Sequence, residues 1–330
     1  MGRSPTTASF RPHEHAMRIE LSDEAQEFGK HVLRALRAAG GDELVRAAEL
    51  EPERRESLVR PVLDVLGAWD LEPRRDGEEL EAAAALCRSA GYWVTPYPVA
   101  ERLARPVDLD VDGLVVVAGD EPAAAVAGLD IRWAAVTFDG LRGEVAVRAS
   151  GVPARDSAFV TRLDIRPLDD DGGADLALAL VLPCWTLLGM LDRAVELTRD
   201  HILVREQFGR PLAEFQSVQF QLTDAEVERR GADMLARYAL WSIQSDRPDA
   251  LLDAVALRSA LLDAAESVFR TAHQLHGALG FCDESPLSWL SRYSLPLRRL
   301  PLGTVGTDEM LTRLSGRRGP SGLYSDSTGV

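Results

Sequence analysis

Apolar residues recur at spacings of three and four through most of this chain and give way to short Val-rich runs in one middle stretch. From about 20 to 105, LSDEAQEFGKHVLRALRAAG, ESLVRPVLDVLGAWDL and EELEAAAALCRSAGYWV each carry a single apolar stripe at the helix period. Ser22 stands three residues before Ala25 with acids between, the position of an N-cap. From about 111 to 168 the runs LVVVAG, IRWAAVTFDG, GEVAVRAS and DSAFVTRLDI, divided by Gly, Asp and Pro, predict strands. After PLDDDGGAD, read as an acidic linker, the helical period returns over 175–206, 216–245, 249–279 and 286–299. Four long helices with short links predict an antiparallel bundle. The expected fold is mainly α with a small β domain. It comprises a flexible leader (1–17), an N-terminal helical domain (18–108), a reduced β domain (109–170), a four-helix bundle (171–303) and a disordered tail (304–330).

Composition narrows the classes. With 330 residues, 46% hydrophobic and 27% charged, the chain reads as a soluble globular protein able to bury a large core. No stretch is apolar without interruption over the length of a membrane span, and the leader MGRSPTTASFRPHEHAM lacks the apolar core of a secretory signal. Met17 is an alternative start. Cys87, Cys184 and Cys282 lie far apart and form neither a disulfide framework nor a zinc pattern, so no metal is expected and the cytoplasm is the default location. A net charge of −15 argues against nucleic acid. Lys30 is the only lysine, so an anionic ligand must be met by Arg, His or backbone N–H groups.

Two segments stand out. VREQFGRPLAEFQ, residues 204–216, joins two helices and holds the stop signals Gly209 and Pro211. A polar turn between antiparallel helices explains it equally well when it is taken alone. AHQLHGALGFCDESPL, residues 272–287, closes the third bundle helix. There Gly277 and Gly280 let the backbone bend and approach a ligand, beside the side-chain donors Gln274 and His276. A glycine C-cap and loop account for one of these glycines better than for the pair.

Taken together, REQFGRPLAEFQSVQFQLTDAE and, some sixty residues later, QLHGALGFCDESPLSWLSR resemble the acyl-CoA dehydrogenase family. The likeness is strong over 175–300, moderate over 20–105 and weak in the β region. It implies a helical domain, a middle β domain and a C-terminal four-helix bundle. It also implies FAD, whose ADP half the two loops reach across a subunit interface. The matching residues are Arg205, Gln207, Phe208, Gly209 and Gln216, with Gln274, His276, Gly277 and Gly280. An Arg fork and loop N–H groups suit a pyrophosphate, and Phe208 suits an apolar cofactor face.

The resemblance breaks at the chemistry. The family's α-proton abstraction needs a carboxylate within hydrogen-bond reach, which many members carry just before a Gly-Thr pair. Here that pair is Gly303–Thr304 and Leu302 precedes it, so no catalytic residue is expected in this chain. The other family location, on the first bundle helix, matches LALALVLPCW, which has no acid. Glu309 reads better as a solvated charge on a terminal helix than as a displaced base. The β region keeps Glu121 and Pro122 but lacks the Ser/Thr donors that hold the flavin ring.

These departures imply the degenerate partner of a catalytic subunit in a heteromeric acyl-CoA dehydrogenase (α2β2), as in actinobacterial enzymes, several of which act on steroid-CoA thioesters. Acyl-CoA would be the substrate of the complex. Two alternatives stay open: an independent enzyme of this fold using Asp283, Glu284 or His276 in different chemistry, and a flavin-free scaffold.

Overall fold

The structure is a computed structural model describing residues 19–119, 121–147 and 159–316. The leader with Met17, the expected strand ends at 148–150 and 156–158, and the tail beyond 316 lie outside the described residues.

The N-terminal part folds as helices α1 (Asp23–Ala38), α2 (Asp42–Leu50), α3 (Arg55–Val65), α4 (Gly77–Tyr92) and α5 (Val99–Leu103). Ser22 caps α1, its hydroxyl accepting the Ala25 N–H at 3.3 Å. The strands are β1 (Gly113–Val117), β2 (Ala123–Ala124), β3 (Trp133–Thr137), β4 (Leu141–Val147) and β5 (Thr161–Asp171). They form one sheet in the order β1-β3-β4-β5-β2, with β1 and β3 parallel and the other pairs antiparallel.

The expected acidic linker is the end of β5. Pro167 and Asp171 pair with Gly143 and Leu141 across a register shift. The acids stay in the ladder because buried Arg142 donates to Asp170 at 2.7 Å and also holds Asp108 and Asp175.

The C-terminal part opens with α6 (Leu176–Val204), followed by the short strands β6 (Glu206–Gln207) and β7 (Arg210–Pro211). Helices α7 (Gln216–Gln244), α8 (Ala250–His276), α9 (Pro286–Arg299) and α10 (Thr304–Ser315) complete it. By length and composition 173–204 is able to cross a membrane, against the sequence expectation, but 78% of its most apolar window is buried inside the protein. It is the core helix of the bundle.

Helices α4 and α6 meet backbone to backbone. A Cβ on Gly189 would stand 1.8 Å from the Arg88 carbonyl oxygen, and one on Gly91 would stand 1.9 Å from that of Thr186. Only glycine permits that approach, and it docks the N-terminal helices onto the bundle.

The tail is corrected at its start. Residues 304–315 are helix α10, because Thr307, Met310 and Leu311 form an apolar stripe that packs on the core, with Thr307 and Met310 buried. Ser259 on α8 also donates to Asp308 at 2.6 Å.

Candidate functional site

Helix α6 stops at Arg205, whose N–H still reaches the His201 carbonyl at 2.9 Å while its backbone turns extended. The chain then reverses in a two-residue hairpin in which Gln207 pairs with Arg210. Phe208 (φ 53°) and Gly209 (φ 81°) both take the left-handed conformation that such a hairpin turn needs. Glycine adopts it freely, whereas phenylalanine held there costs on the order of 1–3 kcal/mol.

The Phe208 ring is 91% exposed and edge-on to Phe215 at 6.2 Å, and Phe215 is covered on its face by the Arg210 guanidinium at 4.1 Å. Arg205, Gln207 and Gln216 are exposed. The Arg205 guanidinium makes no hydrogen bond or ion pair among the described residues.

Helix α8 ends at Gly277 (φ 62°), where an added Cβ would meet nothing within 4 Å. Gly280 is buried, and a Cβ there would press on His276 at 3.0 Å and on His273 at 3.2 Å. Gly277 thus leaves an open backbone edge, and Gly280 serves packing. Gln274 is exposed.

The structure brings the two segments together at one end of the bundle. The rings of His201 and His276 stack at 4.4 Å and 15°. Ile202, Val218 and Leu275 form a small core beneath them, with Leu212, Ala213, Phe215 and Leu222 against it. His276 spends Nδ1 on the Ala272 carbonyl at 2.8 Å, so it supports the site through its ring. Burial is the first cause holding both imidazoles below their ordinary pKa, and the neighbouring His276 lowers His201 further.

The interior lacks a carboxylate at the expected place. Leu302 is half-buried in the core, and its carbonyl accepts from the buried Arg258 at 2.7 Å. Arg258 also holds the carbonyls of Leu297 and Leu300, at 3.1 and 2.7 Å. Glu309 is exposed on α10 and faces a cleft of about 600 Å³ that it shares with Leu302, Gly119 and Thr137. Asp283 and Glu284 are exposed on the loop before α9. Glu121 pairs on the surface with Arg162 at 3.1 Å, and the neighbouring Ala123–Ala125 line a separate inner cavity. Cys184 is buried and its thiol is pushed up to about 11, so it is no nucleophile.

The sequence reading missed one acid, Glu101 on α5. It lines the inner cavity, of about 130 Å³, together with Thr95, Arg55, Arg258 and Pro301. Burial raises its carboxyl pKa. The signal in the sequence was an acid set between Val99–Ala100 and Leu103–Ala104 in a short helix.

Comparison with known proteins bears on the class. Residues 178–319 match the family model of the acyl-CoA dehydrogenase C-terminal domain. The whole chain has the acyl-CoA dehydrogenase fold. It superposes with a TM-score of 0.70 on a chain of the ChsE4–ChsE5 complex from Mycobacterium tuberculosis, at 20% identity, covering 90% of this chain and 98% of that one.

Among curated proteins it is 28% identical over 191 residues to 3-sulfinopropanoyl-CoA desulfinase of Paraburkholderia xenovorans (strain LB400), covering 56% of this chain and 46% of that protein. It is 29% identical over 187 residues to acyl-CoA dehydrogenase FadE28 of M. tuberculosis, covering 55% and 53%. The matched part is therefore about half the length of these relatives.

Proposed function

We propose that this chain is a subunit of a heteromeric, FAD-dependent acyl-CoA dehydrogenase, completing the flavin site of a partner that supplies the catalytic glutamate. The observation that carries the reading is the exposed end of the bundle. Phe208 is held in a strained conformation with its ring 91% in water, next to an Arg205 side chain with no partner among the described residues and the open edge of Gly277. A protein gains nothing by presenting an apolar ring, a free guanidinium and an uncovered glycine backbone together unless something covers them.

These groups fit the ADP end of FAD: Arg205 would hold the pyrophosphate, Gly277 would let it approach the backbone closely, and Phe208 and the Gln side chains would flank it. The rest of the chain does not fit the flavin ring. The inner cavity, about 130 Å³, falls well below the roughly 300–1,000 Å³ of ordinary cofactor sites, and the β2 stretch beside it offers Ala where donors are needed. With Leu302 at the base position, the chain by itself lacks the proton acceptor of an α,β-dehydrogenation. The bound flavin would supply the hydride-accepting chemistry, and this subunit would position it. A bulky acyl-CoA, steroid-CoA thioesters included, is the substrate class the resemblance implies.

The likeness to a desulfinase keeps a second reading, an independent enzyme of this fold with other chemistry. One experiment separates them: purification of the chain alone, and co-expressed with acyl-CoA dehydrogenase chains encoded beside it. The heteromer reading expects a colourless protein without acyl-CoA dehydrogenase activity alone, and a yellow, active complex with the partner. A yellow and active isolated chain overturns it in favour of the independent enzyme. A colourless protein in both preparations favours a scaffold.

A further inference from the structure

The second loop of the site is tied down at its far end. It runs from Gly277 to Ser285, and two backbone hydrogen bonds close its last turns. The Cys282 N–H donates to the Leu279 carbonyl at 3.1 Å, and the Ser285 N–H to the Cys282 carbonyl at 3.0 Å. Between them stands Asp283, which α9 holds in two ways. The Trp289 indole N–H donates to the Asp283 carbonyl at 2.6 Å, and the Arg292 guanidinium pairs with the Asp283 carboxylate at 3.7 Å. Trp289 is buried and carries Arg292 on its ring at 4.4 Å, with Arg46 of α2 5.5 Å from the ring centre.

The hold on Arg292 comes from outside the bundle. Glu49, on α2 of the N-terminal part, pairs with Arg292 at 3.4 Å, and the two side chains are 15% and 19% exposed. Glu49 Oε1 and the Arg292 Nε and Nη2 are buried without hydrogen bonds, so charge and not bond direction joins the two. That attraction is poorly screened, whereas the Asp283 carboxylate, 53% exposed and more distant, pulls on Arg292 less. Arg292 is therefore oriented by α2 on one side and steers the stem of the loop on the other.

We propose that Glu49 and Arg292 are positioning residues for the second cofactor loop. Helix α2 sets Arg292 through Glu49, and Arg292 with Trp289 sets the stem at Asp283 from which the Gly277 turn is presented. The consequence for flavin rests on the heteromer reading above, while the linkage between α2 and the loop stands without it.

Native-state hydrogen exchange of the full chain tests the linkage. Amides of an exposed loop exchange by local opening, so a general loss of stability leaves their rates alone. Glu49→Gln, which keeps the shape and removes the charge, should speed exchange at Cys282 and Ser285 about twofold to fivefold, the span of a modest ion pair. In an Arg292→Met background Glu49→Gln should add nothing, because it acts through that guanidinium. Arg292→Lys should fall between wild type and Arg292→Met, since it keeps the charge and loses the planar stack. If Arg292→Met does not fold, Arg292→Lys takes its place in the cycle and should shrink the effect. In the complex with the catalytic chain, Glu49→Gln should raise the flavin dissociation constant by a similar factor. Unchanged loop amides in Glu49→Gln overturn the proposal, as does an undiminished effect in the Arg292 background. So does wild-type flavin affinity in Glu49→Gln where Arg205→Ala has lowered it. If Arg205→Ala leaves flavin affinity unchanged as well, the heteromer reading fails and the exchange rates alone decide the linkage.

Discussion

Arg205 is the residue on which the cofactor reading turns. Its guanidinium is exposed and unengaged among the described residues, so replacing it removes no internal contact. Arg205→Ala should therefore leave the melting temperature of the isolated chain unchanged while lowering flavin occupancy of the complex. A charge-assisted hydrogen bond is worth about 1.5–3 kcal/mol, roughly one to two decades in affinity. Arg205→Lys should recover only part, because a point charge does not reproduce the planar fork. The flavin-to-protein absorbance ratio of the co-purified complex measures this, and equal ratios in all three proteins would make the segment a turn and nothing more. The turn that carries Arg205 was legible in sequence from Gly209 and Pro211, whereas its cofactor role rests on the resemblance of the two loops taken together. Glu101 was not, since an acid in a five-residue helix looks solvated until α6 and the sheet close over it. Leu302 was legible only as an absence.

Between residues and the whole lie the junctions of elements, and the ends of α6 and α8 are joined by the His201–His276 stack. Both imidazoles have folded pKa values depressed below the ordinary 6.5, mainly by burial. The unfolded chain therefore binds protons more readily in that window. The stability from these neutral rings is fully present above about pH 6.5 and is lost as pH falls through the folded values. Melting temperature should drop between pH 7.5 and 5.5, and His276→Gln should flatten that drop, since Gln carries no proton to repel His201. An identical pH slope in the variant would show that the stack does not titrate with folding. The long helices could be read because α6, α7 and α8 keep their apolar period over 29, 29 and 27 residues. Helices α2 and α5 escaped notice because nine and five residues leave too little period to see. The start of α10 was hidden by the Gly and Thr around its stripe, whose burial depends on α8. The end of β5 was hidden by its acids, which only the buried Arg142 makes tolerable.

For the whole molecule the question is what covers the outer face of α7. Phe220, Val227 and Met234 recur at seven-residue intervals on this helix and are 59%, 61% and 47% exposed. That spacing keeps them on one side of the helix, and Gly231 falls between the last two on the same side. A Cβ on Gly231 would meet nothing within 4 Å, so no packing among the described residues requires glycine there. In the isolated chain Gly231→Ala should raise stability by about 0.5–1 kcal/mol, the ordinary gain of replacing a mid-helix glycine. A face that is apolar, regularly spaced and relieved by a small residue is suited to another helix lying close against it. The stripe begins one turn beyond Gln216, so a partner seated on it would also bring its flavin to Arg205 and Phe208. Met234→Asp places a charge in that contact, and Gly231→Trp fills the space a partner helix would use. Both variants should keep the melting temperature of the isolated chain within a degree or two, because surface changes of this kind usually stay within about 0.5 kcal/mol. Both should fail to co-purify with the catalytic chain at micromolar concentration and so yield colourless protein. Light scattering together with the flavin absorbance ratio reads both effects at once. A variant that still assembles and still carries flavin would move the interface off α7 while leaving the Arg205 prediction standing.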